Sequence, residues 1–433
     1  MSAVRYREVL RQPEFTALYV ADILSISCSY LAQIAVAALV YYRTGSTTYT
    51  AVAFAISYAP FLFSPWLSTF ADLWPRRGLL IICDLARAAC IGAIVIPGAP
   101  TGLILALLFV EALFRVPWGA ARLALLSEIL TEELFPAGNA LVSSTRQALQ
   151  VGGFGLGGVV VALVGSRPAL ALDAVTYALS AAIIALAIRP RPAPWVQDGA
   201  AASTSNDVQG GPAAVAVGVS AARPTAWDSM VLGLKTCAQT HRMPQLLMLM
   251  ALGPAVVVIT EGLAVPFADE LGGAVPLAGV IMAAPPLGNV VGLFLFGRLP
   301  SERQRFLVGP LACGSAMAIA CAGAVGLLLH WTVGTVALLA LAGACLCYLN
   351  AIQTEIATSI EPRVRGRVFG LANAVLQLSQ GGAILIGGVV AASLSVAGAL
   401  VGLALVGTAA IVAVVVHIPA AQTVAERMDR PSA

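Results

Sequence analysis

Residues 102–126 read GLILALLFVEALFRVPWGAARLALL. At 1.5 Å per residue a helix of this length reaches about 38 Å, more than the roughly 30 Å hydrocarbon core of a bilayer. The stretch is therefore a membrane span, yet Glu111 and Arg115 sit inside it, more than two turns from the nearest end. A charge at that depth is expensive unless it faces protein or water and finds a partner. Glu111 precedes Arg115 by one turn, the order that favours pairing along a helix. Asp22, in the first apolar run, should lie at a comparable depth. One of these two acids is expected to hold Arg115.

The rest of the chain repeats the pattern. Of its 433 residues 59% are hydrophobic and only 10% are charged, against roughly one quarter charged in a soluble domain. Apolar runs near 15–41, 50–71, 78–97, 102–126, 139–164 and 169–188, then 245–266, 275–297, 306–329, 332–354, 369–392 and 396–416, fill twelve spans in two sets of six. Eighteen of the 24 basic residues fall in the two termini, alternate loops and the central gap, whereas Arg43 and Arg167 lie on the other face. By the positive-inside rule both termini then face the cytoplasm. The remaining four, Arg87, Arg115, Arg122 and Arg146, lie inside spans.

The expected fold is an all-α membrane protein of twelve transmembrane helices in two pseudo-symmetric six-helix bundles. Residues 1–189 form the first bundle, 190–241 a cytoplasmic linker, 242–418 the second bundle and 419–433 a cytoplasmic tail. The linker opens with the Pro-rich Arg189–Pro194 and is poor in large apolar residues, as a mobile connection is. Near its end Trp227, Met230, Val231, Leu234 and Ala238 recur at helical spacing, which predicts a short amphipathic helix on the inner membrane surface or a plain lead-in to the seventh span. Two equal sets of spans suggest the duplicated plan of secondary transporters, with substrate near the midplane. The 41 glycines fit closely packed, sliding helices.

Several functions are excluded. A net charge of +3 with scattered arginines offers no stripe to a phosphate backbone, so no nucleic acid is expected. The eight cysteines form no CxxC pair and stand with no metal-ligand histidines, so neither a metal nor a cofactor is expected. No Gly-x-x-x-x-Gly-Lys-Ser/Thr loop occurs, which removes ATP-driven transport by this chain. No nucleophile and base combination stands out, and the protein is not expected to be an enzyme. A single lysine among the basic residues fits a GC-rich, bacterial genome and hence the cell membrane.

Motifs add a resemblance. Ser68-Thr69-Phe70-Ala71-Asp72-Leu73-Trp74-Pro75-Arg76-Arg77-Gly78, followed by Asp84-Leu85-Ala86-Arg87, resembles the Gly-x-Leu-Ala-Asp-Arg-x-Gly-Arg-Arg signature of the major facilitator superfamily, with Ser68 for its glycine and Leu73 for its arginine. The resemblance implies a cytoplasmic gate at Asp72, Arg76, Arg77, Asp84 and Arg87. Arg115-x-x-x-Gly119 is similar to the family's fourth-helix arginine motif, linked to proton coupling. Gly153-Phe154-Gly155-Leu156-Gly157-Gly158 is similar to its antiporter motif, with Phe154 in place of proline, and marks Gly153, Gly157 and Gly158 as packing residues. Glu361–Gly370, with its Arg-Gly-Arg-Val-Phe-Gly run, resembles the branch holding the enterobactin exporter and macrolide efflux proteins. That adds Arg363, Arg365 and Arg367 to the gate.

Glu261 is the isolated acid of the second half, about 24 Å along its helix, and is expected to be protonated, hydrated in a cavity or engaged with substrate. Asp173 and Arg146 read as interface residues. The combined expectation is a proton-coupled exporter of small amphiphilic organic molecules, working as a monomer by alternating access. Asp22, Glu111, Arg115 and Glu261 would line its cavity, with a small-molecule substrate, protons and lipid as partners. A facilitator or importer of a small metabolite, or a non-transporting scaffold or receptor, shares most of these features.

Overall fold

A computed structural model describes residues 3–67, 69–191, 242–360 and 362–417, without the side chains of residues 3–5, 65, 72 and 362–367. The linker from residue 192 onward, with its expected amphipathic helix, and the tail 419–433 lie outside the described residues.

Nearly all that is described is helical. The first half holds α1 (Ala3–Leu10), α2 (Pro13–Thr44), α3 (Thr47–Ala55), α4 (Ser64–Leu67), α5 (Phe70–Leu73), α6 (Arg76–Val95), α7 (Thr101–Ile129), α8 (Phe135–Val164) and α9 (Ser166–Ala187). The second holds α10 (Met243–Gly262), α11 (Ala264–Glu270), α12 (Val275–Phe296), α13 (Ser301–Leu329), α14 (Thr332–Cys345), α15 (Tyr348–Ser359), α16 (Pro362–Ser393) and α17 (Val396–Val416). Among the described residues eleven helical stretches are long and apolar enough to cross a membrane, with Thr332–Ser359 counting as one. The second expected span, 50–71, is the exception. It is broken into α3, a 3-10 turn at Ala59–Phe63, α4 and α5. Pro60 and Pro65 each remove a backbone donor, and the tighter turn follows from that loss.

Turn chemistry sets the helix ends. Gly45 ends α2 in the left-handed region at φ 62°, its N–H bonded to the Tyr41 carbonyl at 2.7 Å, a conformation that glycine adopts without steric cost. The Ser46 hydroxyl then caps α3 by accepting the Tyr49 N–H. At the other end of the first half Gly165, φ 87°, turns α8 directly into α9.

The chain divides into two compact units, the described residues within Met1–Val231 with Gly273–Ala283, and those within Leu232–Gly272 with Ala284–Ala433. The halves repeat one packing scheme. In the first, α2 packs on α9 and α8, and α6 on α7 and α9. In the second, α10 packs on α17 and α16, and α13 on α14 and α17. Spans one, three, four, five and six thus pair as spans seven, nine, ten, eleven and twelve do. The polar amino terminus adds α1, whose fully buried Val9 joins Phe15, Leu126 and Leu130. Leu163, Leu186 and Phe306 are at least 80% exposed, a pattern suited to lipid rather than to water.

Glycine seams let helices touch backbone to backbone. In the second unit a Cβ on Gly343 would collide with the Pro285 backbone, one on Gly288 with Ala340, and one on Gly292 with Ala344. Backbone cannot swing aside as a side chain does. Gly343→Val is therefore expected to cost about 1–3 kcal/mol, read as a lower melting temperature of the detergent-purified protein; an unchanged value would mean that the seam is slack.

Candidate functional site

The first unit gathers its in-span charges into two neighbouring clusters. Glu111 on α7 is 4% exposed and accepts from two arginines. Arg87 Nε on α6 donates to Oε1 at 2.8 Å, and Arg115 Nη2, one turn along α7, donates to Oε2 at 3.0 Å. Arg87 also bonds the Tyr177 hydroxyl of α9, lies over that ring at 4.0 Å from its centroid, and has Asp84 Oδ1 3.9 Å from Nη1. Arg87 lies about 16 Å along α6 from Arg76, and Glu111 about 15 Å along α7 from Thr101, so both sit well inside the bundle.

Asp22 on α2, 3% exposed, anchors a second cluster. Arg146 of α8 grips it bidentately, Nε to Oδ2 at 3.0 Å and Nη2 to Oδ1 at 2.5 Å, with Arg122 Nη1 3.8 Å from Oδ2. Such fork pairing fixes geometry as well as charge. The expectation that either acid could serve Arg115 is thus resolved: Glu111 takes it, while Asp22 belongs to Arg146 and Arg122.

The remaining acids bond hydroxyls. Asp84, fully buried, accepts from Ser180 at 2.7 Å. Asp173, 1% exposed, has the Ser29 hydroxyl at 3.4 Å, and Ser29 lies 2.7 Å from the Tyr177 hydroxyl. A hydrogen-bonded chain therefore runs from Asp173 through Ser29, Tyr177, Arg87 and Glu111 to Arg115. Four arginines meet four acids, no net charge when all are ionised.

These positions correct two expectations. Asp84 and Arg87, expected with the cytoplasmic gate, face Ser180, Tyr177 and Glu111 inside the bundle, because one helical turn separates them and aims both at α9 and α7. Asp173 and Arg146, expected at interfaces, belong to the Glu111 and Asp22 clusters respectively. Their signal was present in the sequence, since each is a charge inside a span, but spacing along one helix says nothing about partners on another.

At the start of α6, Arg76 Nη1 donates to the Ala124 carbonyl at 3.0 Å and pairs with Glu128, an acid that no motif or span position singles out. Arg77 donates to the Ala185 carbonyl. The side chains of Asp72, Arg363, Arg365 and Arg367 lie outside the described residues. In the packing motif, a Cβ on Gly153 would stand 2.8 Å from Tyr30 Cβ and one on Gly157 3.4 Å from Leu31 Cα, while Gly158 meets the backbone of Gly279 in the part of α12 that belongs to the first unit. Phe154 leaves α8 unbroken and is stacked edge-on against Tyr30 at 5.0 Å.

The network borders open space. A cavity of about 240 Å³ is lined by Asp22, Arg87, Arg115, Trp118, Gly119 and Arg146, among others, and a smaller one of about 40 Å³ by Glu111, Arg115, Asp173 and Tyr177. In the second unit, the side chain of Glu261 on α10 has no hydrogen bond or ion pair among the described residues, and Arg242 lies 4.0 Å from Glu355.

An apolar bundle with paired charges at mid-depth beside a cavity is what a transporter needs, and residues 18–380 match the Major Facilitator Superfamily. The chain belongs to that family. It is a membrane transporter of the major facilitator kind. Solved structures share the transporter's fold: a bacterial homologue of the human lysosomal transporter Spinster, inward-facing and unoccupied, is 15% identical over 96% of each chain with a TM-score of 0.68. A POT family transporter in complex with a thioalcohol-conjugated peptide is 12% identical over 93% of this chain and 95% of its own, TM-score 0.68. The nucleoside transporter NupG is 14% identical over 93% and 98%, TM-score 0.66. At these identities the likeness is one of fold. No curated protein sequence matches the chain.

Removing one partner of a buried ion pair leaves the other charge stranded. Arg87→Leu is accordingly expected to destabilise the transporter by about 3–5 kcal/mol, whereas Tyr177→Phe, which deletes one hydroxyl, should cost about 1 kcal/mol. Melting temperatures of the two variants check the ranking; equal losses would assign Arg87 a packing role only.

Proposed function

We propose that this transporter is a proton-coupled exporter of small amphiphilic organic molecules that works by alternating access. The observation that carries the reading is the paired network at mid-depth on the wall of the cavity. A permanently structural ion pair gains little from being placed in a membrane interior. One that can be opened by a proton gives two states of the bundle. A proton on Glu111 would cancel the charge that holds both Arg87 and Arg115, and a proton on Asp22 would release Arg146 and Arg122. The arginines would then seek other partners, and a ligand or proton that favours one arrangement shifts the population toward it.

Outward direction is supported by the likeness of Gly153–Gly158 and of the Arg-Gly-Arg-Val-Phe-Gly run to exporter sequences. Glu261 is proposed as a second protonation site within its own unit. Asp72, Arg76, Arg77, Arg363, Arg365 and Arg367 are proposed to hold the cytoplasmic side, with both termini in the cytoplasm, the chain in the cell membrane and the monomer as the working form.

Proteoliposomes test the coupling. A substrate found by thermal-shift screening of natural products and antibiotics should drive protons in the opposite direction, and Asp22→Asn and Glu111→Gln should retain substrate binding while losing most of that proton movement. Unchanged proton flux in both variants would end the coupling assignment, and inward substrate movement would make the protein an importer.

A further inference from the structure

We propose that the cavity of the first unit binds the acidic group, carboxylate or phosphate, of an organic anion between Arg115 and Arg146, with an aromatic or apolar body against Trp118 and Tyr30. This deepens the transporter reading by naming the charge of its cargo.

The argument begins with how charge is arranged on the wall. Asp22 faces Arg146 and Arg122, and Glu111 faces Arg87 and Arg115. The Asp22 cluster thus has one more positive charge than negative, whereas in the Glu111 cluster Asp84, 3.9 Å from Arg87, evens the count from the side away from the larger cavity. The two acids that balance the total, Asp84 and Asp173, bond Ser180 and Ser29 and do not line the larger cavity. Exposure follows the same division. The side chains of Arg115 and Arg146 are 35% and 31% exposed, against 5% and 4% for Glu111 and Asp22. Arg115 and Arg146 therefore present most of the charged surface to the space; Asp22 reaches its wall with little surface, and Glu111 does not line it. Low-dielectric walls strengthen the resulting positive potential.

Chemistry and shape agree with an acid. A guanidinium offers a planar fork of donors that matches carboxylate or phosphate oxygens. Arg115 makes one hydrogen bond, through Nη2 to Glu111, and its Nε is buried without a partner. Arg146 sits 6.0 Å from the Trp118 ring centroid, so its charge borders an aromatic surface. A cavity of about 150 Å³ already takes a benzene ring; this one, about 240 Å³, leaves room for an acidic group as well. Gly119 opens it, since a Cβ there would meet nothing within 4 Å.

Three probes of one shape and different charge test the assignment: indole-3-propionate, its neutral amide and the cationic tryptamine, titrated calorimetrically into the purified full-length protein, with inorganic phosphate as a competitor. The acid should bind at least about tenfold more tightly than the amide, a tenfold ratio being 1.4 kcal/mol, and the amine more weakly still. Arg115→Lys keeps the charge but loses the fork and should weaken the acid alone. Gly119→Leu should abolish binding with an undiminished melting temperature, because it fills the cavity from a position where a Cβ meets nothing within 4 Å. Competition by phosphate would show that either acidic group is accepted; no competition would confine the site to carboxylates. The proposal is overturned by an amine that binds as well as the acid, by acid binding that survives Gly119→Leu, or by no acid binding at millimolar concentration. Equilibrium binding needs no proton gradient, so failed coupling would leave this assignment standing, and failed acid selectivity would leave coupled transport standing with a different cargo.

Discussion

An arginine halfway along an apolar helix has to be answered by an acid, and Glu111 answers two of them. Its carboxylate joins α6 to α7 through Arg87 and continues along α7 to Arg115, while Arg87 carries the connection to α9 through Tyr177. Asp22 does the same for α2, α7 and α8 through Arg146 and Arg122. Hydrophobic burial gives no preference for one helix neighbour over another inside lipid, because lipid tails are as apolar as leucine. Paired charges and close backbone approach supply the preference that the hydrophobic effect cannot.

The two halves share a packing scheme and differ in chemistry. Away from span ends, every described arginine and all but one of the described acids belong to the first unit. In the second unit contact is made by glycine against backbone, at Gly288, Gly292 and Gly343, and by the Tyr348 hydroxyl donating to the Leu249 carbonyl at 2.8 Å beside Gly253. Glu261 is its one deep acid. Duplication thus preserved which helices touch, while the polar residues that respond to protons or ligands came to lie mostly on one side of the repeat.

Much of the fold was legible in the sequence, because the bilayer imposes it. Hydrocarbon demands about 20 apolar residues per crossing and a satisfied backbone, so spans announce themselves by length. The break in the second span was less legible: its residues carry no charge, and only Pro60 and Pro65 hinted that one helix would become several pieces. The site was half legible. Glu111 and Arg115 fall one turn apart on a single helix, where spacing makes Glu111 one of the two candidate partners of Arg115. Asp173 and Tyr177 of α9 join that network and Arg146 of α8 joins Asp22 beside it, and no local pattern could say so.

The sequence by itself determined the membrane, all but one of the spans, the excess of arginine on the expected cytoplasmic face and the short roster of charges that must find partners in the interior. Only the tertiary structure decided the partners: Asp22 with Arg146 rather than Arg115, Arg87 inside the bundle rather than at its edge, and Arg115 and Arg146 more open to the cavity than the acids they pair with. Periodicity fixes which face of a helix a residue occupies, but which helix that face meets depends on the packing of all of them at once.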